Sequence, residues 1–155
     1  MTGNHNTRKH PAHHPPLERH NKPIIIFLTV CTQGRKSVLA NERVHRVLVD
    51  SWASTSQWKV GRYVVMPDHI HLFCSPSGKE SESVISWTAY WKRLVSQCVP
   101  ELKPLWPRDC WDTQLRHHES YSEKWSYVRN NPVRAGLVQD VDAWSFQGEI
   151  IHLPW

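Results

Sequence analysis

The stretch RYVVMPDHIHLF (62–73) predicts two antiparallel strands separated by a tight break at its Pro-Asp step. Alternate side chains of a strand point to the same face, so His69 and His71 are expected side by side. Ile70 and Leu72 then enter the opposite face, where a hydrophobic core needs them. If helices cover that opposite face, the two histidines lie on the accessible surface of the sheet.

The flanking sequence alternates between strand and helix patterns. Strands are expected at 24–32, 58–66, 69–75 and within 110–118, and helices at 42–57, 80–97 and 120–131. The order β-α-β-β-α-β-α predicts an α+β ferredoxin-like sandwich. Its four-stranded antiparallel sheet would carry helices on one face, with a further C-terminal helix.

A chain of 155 residues fits a single folded domain. Three regions are expected: a flexible His/Pro-rich arm at 1–22, the domain at 23–140, and an irregular tail at 141–155. The four cysteines have no Cys-x-x-Cys spacing, which argues against a zinc ribbon or a disulfide framework. The sequence has no secretory signal, and its longest apolar run, IIIFLTV, is too short to span a bilayer. A cytoplasmic protein without membrane contact is therefore predicted.

Nineteen Lys and Arg against fourteen Asp and Glu leave a net charge of +5, which favours an anionic partner. Nucleic acid is the commonest such partner. Some of the nine tryptophans could stack on unpaired bases, although packing explains any single one better. The basic residues near the motifs are candidate DNA contacts, and each also fits a solvated surface charge: Arg35, Lys92, Arg93, Arg116, Arg129 and Arg134.

Two neutral imidazoles on one strand face can bind a divalent metal, but the pair alone also fits a structural role. Three rival enzyme patterns are absent. Histidine-triad hydrolases need a third histidine where Phe73 stands. Phosphoesterases with two His-x-Thr or His-x-Ser motifs need a second copy, and zinc hydrolases need His-Glu-x-x-His or a carboxylate ligand.

The segment SYSEKWSYVRNNPVRAGLV (120–138) predicts a helix that is capped at its start and stopped before its proline. Tyr127 and Asn131 are four residues apart and share one helix face, and Lys124 joins the same edge. A separate apolar stripe is expected to pack: Tyr121, Trp125 and Val128. From spacing alone, Tyr127 could be a packing residue and Asn131 a helix stop.

Together, VVMPDHIHLF and YVRNNPVRAGLV resemble two motifs of the single-tyrosine HUH transposases of small insertion sequences, and especially of the REP-associated tyrosine transposases. The first matches Met-Pro-(Asn/Asp)-His-φ-His-φ. The second matches Tyr-φ-x-x-Asn-Pro-Val-(Lys/Arg)-x-Gly-Leu-Val. FLTVCTQGR near the start is also similar, and the resemblance covers about residues 22–140.

The resemblance implies a metal-dependent endonuclease and strand transferase that cuts single-stranded or hairpin DNA through a 5′-phosphotyrosine. His69 and His71 would bind Mg²⁺ or Mn²⁺, and Tyr127 would be the nucleophile. Asn131 would be the third ligand, where insertion-sequence relatives often have glutamine. Lys124 is a candidate helper for removing the phenol proton. The chain would act as a monomer or a homodimer.

Two other functions stay open at this point. One is a domesticated protein that binds hairpin DNA without cutting it. The other is a nucleotide-hydrolysing or RNA-acting metalloenzyme.

Overall fold

The computed structural model describes His13, Pro16 and residues 23–116 and 120–155. The rest of the predicted 1–22 arm lies outside the described residues, as does the end of the segment predicted to hold the fourth strand. The helices and strands are β1 Ile26–Cys31, α1 Glu42–Ser54, β2 Trp58–Val65, β3 His69–Pro76, α2 Val84–Cys98, β4 Trp111–Gln114, α3 Tyr121–Arg129, α4 Asn131–Arg134 and β5 Gln147–Glu149.

The sheet has five strands in the order β4-β1-β3-β2-β5, with every neighbouring pair antiparallel. The α+β prediction is confirmed, but the prediction of four strands was wrong. The fifth strand comes from the tail that was expected to be irregular. It pairs with β2, where Tyr63 lies opposite Gly148. Three residues with the sequence Gln-Gly-Glu have no strand pattern of their own, so the neighbouring strand specifies this one.

Helices α1 and α2 cover one face of the sheet. Their largest buried side chains are Trp52, Trp87 and Trp91, which pack over the inward residues of the strands. Asn41 caps α1 as predicted, its side-chain oxygen accepting a hydrogen bond from the Val44 backbone at 3.0 Å. Both helices are shorter at one end than predicted. Helix α1 ends at Ser54, and α2 begins only after its cap at Ser83.

Helix α3 packs on the opposite face of the same sheet. Tyr121 and Val128 from the predicted stripe are buried there, together with Phe73, and Trp125 is half-buried beside them. Ser120 caps the helix through a hydrogen bond from the Glu123 backbone. Helix α3 ends at Arg129, two residues before the predicted end, and a separate one-turn helix, α4, begins at Asn131 with Pro132 in its first turn.

The two faces of β3 therefore have different neighbours. Ile70 and Leu72 pack under α1 and α2, whereas His69 and His71 share their face with α3. None of the helices in residues 23–116 and 120–155 is long and apolar enough to cross a membrane.

Candidate active site

The two histidines of β3 form the centre of the site. Their ring centroids are 4.8 Å apart and their planes are inclined by 77°. Both side chains are half-buried. The alternation of the strand places them together, as the sequence predicts, and the α3 side of the sheet leaves them reachable.

His71 is held by the neighbouring strand. Its Nδ1 lies 2.9 Å from Oγ1 of Thr29, its cross-strand partner, and its ring stacks on Phe27 with centroids 5.2 Å apart. Burial lowers the pKa of His71 to about 3, and four nearby side chains act in the same direction: His69, Arg134, Lys124 and Arg35. The imidazole is therefore neutral at physiological pH. In the tautomer whose Nδ1 donates to Oγ1 of Thr29, Nε2 presents a lone pair for a ligand bond.

His69 is oriented by a carboxylate. Its Nδ1 lies 2.7 Å from Oδ1 of Asp68, and the other oxygen of Asp68 accepts a hydrogen bond from Nε of Arg35 at 3.0 Å. Partial burial opposes ionisation of Asp68, but the His69 hydrogen bond and the Arg35 charge outweigh it and lower the pKa of this carboxyl. An ionised Asp68 can only accept, so His69 must donate from Nδ1 and keep Nε2 open. This is the arrangement typical of a metal-binding histidine.

Tyr127 lies at the C-terminal end of α3 with its side chain 66% exposed. The guanidinium of Arg134 lies 4.1 Å from the centroid of its ring. Arg134 also donates a hydrogen bond of 2.9 Å to Oδ1 of Asn131. Arg134 therefore contacts both the tyrosine and the asparagine, and its positive charge helps to lower the pKa of His71.

Lys124 approaches the same group from one turn earlier in α3. Its Nζ lies 5.1 Å from the centroid of Phe27, the ring on which His71 stacks. Lys124 therefore reaches the sheet face that carries His71, one turn before Tyr127 in the same helix. The hydroxyl of Tyr121, by contrast, accepts a hydrogen bond from the Arg62 backbone at the buried start of the helix.

The donors available for a divalent ion are two imidazole nitrogens and the amide oxygen of Asn131. Within residues 23–116 and 120–155, no group of three His, Cys, Asp or Glu side chains is placed to hold a metal. The oxygen of Asn131, the residue predicted to be the third ligand, accepts a hydrogen bond from Arg134. Imidazole nitrogens favour Mn²⁺ over Mg²⁺ in intrinsic affinity, and an amide oxygen suits either ion.

The six predicted DNA-contacting residues do not form one surface. Arg35 donates to Asp68 and Arg134 donates to Asn131, so both lie beside residues of the candidate site. Arg129 pairs with Asp142, and Arg116 follows β4 by two residues. The remaining two are on α2, across the sheet: Lys92 and Arg93.

Lys92 in particular is buried. Its Nζ donates a 2.9 Å hydrogen bond to the carbonyl of Pro107, and the indole of Trp106 donates to the Lys92 carbonyl. Burial lowers the pKa of Lys92. The side chain holds the 103–108 segment against α2. A direct DNA contact by Lys92 therefore stays a prediction, and the burial of the side chain argues against it.

Sequence reasoning missed Thr29, Phe27 and the supporting role of Asp68. Phe27 and Thr29 are two residues apart in β1, so both point to the face that carries the histidines, and this spacing can be read from IFLTVC. Which of them lies opposite His71 depends on the pairing of β1 with β3, which no local pattern specifies.

Comparison with known proteins gives consistent relatives. A REP-associated tyrosine transposase of Escherichia coli K12 is 27% identical over 123 residues, which are 77% of this chain and 73% of that protein. The structure of a REP-associated tyrosine transposase bound to a REP hairpin aligns with a TM-score of 0.67 at 22% identity, covering 86% of this chain and 82% of the other.

A crystal structure from Deinococcus radiodurans R1, described as a candidate transposase, aligns with a TM-score of 0.51 at 18% identity. It covers 76% of this chain and 97% of that one. These two likenesses confirm the fold. The family described as Transposase IS200 like matches residues 22–128, a range that holds both histidines and Tyr127. This match covers more than half of the chain and agrees with the resemblance seen in the motifs, so the chain belongs to the IS200-like transposase family.

Proposed function

We propose that this protein cuts and rejoins one strand of DNA, with Tyr127 as the nucleophile. The oxygen of Tyr127 attacks the scissile phosphorus, the bond from phosphorus to the 3′ oxygen breaks, and the departing oxygen takes up a proton. The products are a 5′-phosphotyrosine and a free 3′-hydroxyl. Attack by a 3′-hydroxyl reverses the step, so strand transfer needs no ATP.

The observation that carries the proposal is the position of Arg134. Its guanidinium lies over the exposed Tyr127 ring and donates a hydrogen bond to Asn131. Its positive charge also helps to lower the pKa of His71. A phosphodiester bound at this point would meet the nucleophile, the amide and the histidine pair together. The guanidinium is also a suitable donor to a phosphate oxygen, since its planar N–H groups match that geometry.

His69, His71 and Asn131 would hold a divalent metal ion. When bound, such an ion polarises the phosphodiester and stabilises the negative charge that develops on its oxygens. Thr29 and Asp68 fix the two imidazoles so that little reorganisation is needed. Lys124 is the candidate to assist departure of the phenol proton, because it lies three residues before Tyr127 in α3, a spacing that puts two side chains on one helix face.

The proposed substrate is single-stranded DNA with a hairpin. The support is the relative whose structure is bound to a REP hairpin, together with the +5 charge of this chain. A hairpin offers both a charged backbone and unpaired flanking bases.

The test is capture of the covalent adduct. The probes are synthetic hairpins with single-stranded flanks, copied from inverted repeats of the genome that encodes the chain, incubated with Mn²⁺. Mass spectrometry of the digested protein should find DNA on Tyr127, and Tyr127→Phe should abolish both the adduct and cleavage. Tyr90→Phe is the matched control, since Tyr90 is exposed on α2 across the sheet.

An adduct that persists in Tyr127→Phe moves the nucleophile to another residue. Cleavage that continues unchanged in EDTA removes the metal from the proposal. Tight hairpin binding with no cleavage by the unaltered chain, in any metal, supports the alternative of a hairpin-binding protein that no longer cuts.

A further inference from the structure

Trp111 occupies an unusual position at the edge of the sheet. It is the first residue of β4, and the register of β4 with β1 places it directly opposite Thr29. Thr29 is in turn opposite His71 on β3. Directly opposed residues of antiparallel strands point to the same face. Trp111, Thr29 and His71 therefore form one row on the candidate active-site face.

Trp111 is 42% exposed. Within the described residues its ring has no aromatic partner and its indole N–H has no hydrogen-bond acceptor. Seven of the other tryptophans have a ring partner or an indole hydrogen bond: Trp52, Trp58, Trp87, Trp91, Trp106, Trp125 and Trp144. Its exposed face is a large, rigid surface on which another planar ring can stack.

The distance from the histidines suggests the partner. Trp111 is two strands from His71, which is about 10 Å at ordinary strand spacing. A nucleotide that adjoins the scissile phosphate can bridge that separation. Two cations can hold the backbone of such a nucleotide: Lys124, whose Nζ lies 5.1 Å from the centroid of Phe27, and Arg134, whose guanidinium lies 4.1 Å from the centroid of Tyr127.

We propose that Trp111 is a stacking platform for an unpaired base in the single-stranded flank of the DNA, next to the phosphate held at Tyr127. The inference rests on the proposed function and adds a base-binding site to it. Stacking on an indole face is tolerant of base identity, so Trp111 contributes affinity and places the strand rather than reading its sequence.

The test measures binding apart from cleavage, in a Tyr127→Phe background. The probe is a synthetic hairpin with a single-stranded flank that carries 2-aminopurine at each flank position in turn. Trp111→Ala should weaken binding about 5- to 150-fold and remove the fluorescence quenching at one position, whereas Trp111→Phe should keep most of both. Tyr90→Ala, an exposed aromatic residue 40% accessible on α2, is the matched control.

An abasic residue at the quenched position sharpens the result, because Trp111→Ala should then cause no further loss. Equal binding by the Trp111→Ala and parent chains, including no binding by either, overturns the inference. A change of oligomeric state in Trp111→Ala, measured by light scattering, with quenching retained, also overturns it and assigns the edge to contact between copies. If the unaltered chain forms no adduct at Tyr127, the proposed function fails instead. Failure of the base-stacking inference and failure of the proposed function can therefore be told apart.

Discussion

Gly61 lies where β2, α3 and the C-terminal segment approach one another most closely. A methyl group added there would lie 2.6 Å from Cδ1 of Leu153 and 2.8 Å from the hydroxyl of Tyr121. Ordinary side chains do not tolerate such contacts, so Gly61→Ala forces both neighbours to move. Leu153 can turn its flexible end aside. Tyr121 cannot easily, because its rigid ring packs on Phe73 with centroids 4.9 Å apart.

The size of the effect follows from these contacts. Overpacking a well-packed site costs typically about 1–3 kcal/mol. Moving Tyr121 also weakens the hydrogen bond from the Arg62 backbone to its hydroxyl, worth about 1 kcal/mol. We expect Gly61→Ala to lower the free energy of unfolding by about 2–3 kcal/mol, which corresponds to a fall in Tm of roughly 4–12 °C for a chain of this size.

Thermal and urea unfolding followed by circular dichroism measure this change. Gly78→Ala is the matched control, since an added methyl group at Gly78 has no atom within 4 Å. It should alter stability by less than about 0.5 kcal/mol. If the two variants have equal stability, the C-terminal segment and α3 do not pack against Gly61 in the way described. The packing that positions the helix carrying Tyr127 would then differ from this description.

Three further expectations concern single side chains. Asp68→Ala removes the acceptor that orients His69, so Mn²⁺ affinity measured by calorimetry should fall about 10- to 100-fold; unchanged affinity would separate this carboxylate from the proposed metal site. Burial lowers the pKa of His45 in the folded chain. As the pH falls below about 6.5, His45 is protonated more readily in the unfolded chain, so the folded state loses stability. The urea midpoint should therefore drop more steeply between about pH 7.5 and about pH 5.5 in the unaltered chain than in His45→Gln, and equal slopes would contradict the assignment. Lys92→Met leaves the Pro107 carbonyl without its donor and should cost about 1–3 kcal/mol of stability while hairpin affinity persists. If Lys92→Met keeps normal stability but binds DNA more weakly, Lys92 contacts the DNA directly.

Patterns within a few residues were enough to predict the histidine face and the cap of α3. His69 and His71 alternate with apolar residues that the core requires, so only one orientation of β3 buries the right side chains. Ser120 caps the helix because its hydroxyl can reach the backbone three residues on. Such features depend on local geometry alone.

Features that depend on distant pairing could not be predicted in this way. Strand β5 exists because β2 offers an open edge, and nothing in its own three residues indicates it. Thr29 faces His71 only through the register of two strands that are far apart in sequence. The burial of Lys92 results from the 103–108 segment folding back on α2, whereas a lysine in a helix ordinarily indicates a solvent-facing position.

The order of the strands bears on how the protein would withstand force. Helix α3 follows β4 and precedes β5, and these two strands form opposite edges of the sheet. If Tyr127 takes a DNA strand as proposed, tension on that strand pulls on a segment that is anchored on both sides. The load is then divided between the β4–β1 and β2–β5 hydrogen bonds. A helix attached to the sheet through one strand only would separate from the histidines under the same force, whereas α3 is restrained by strands on both sides of it in the chain.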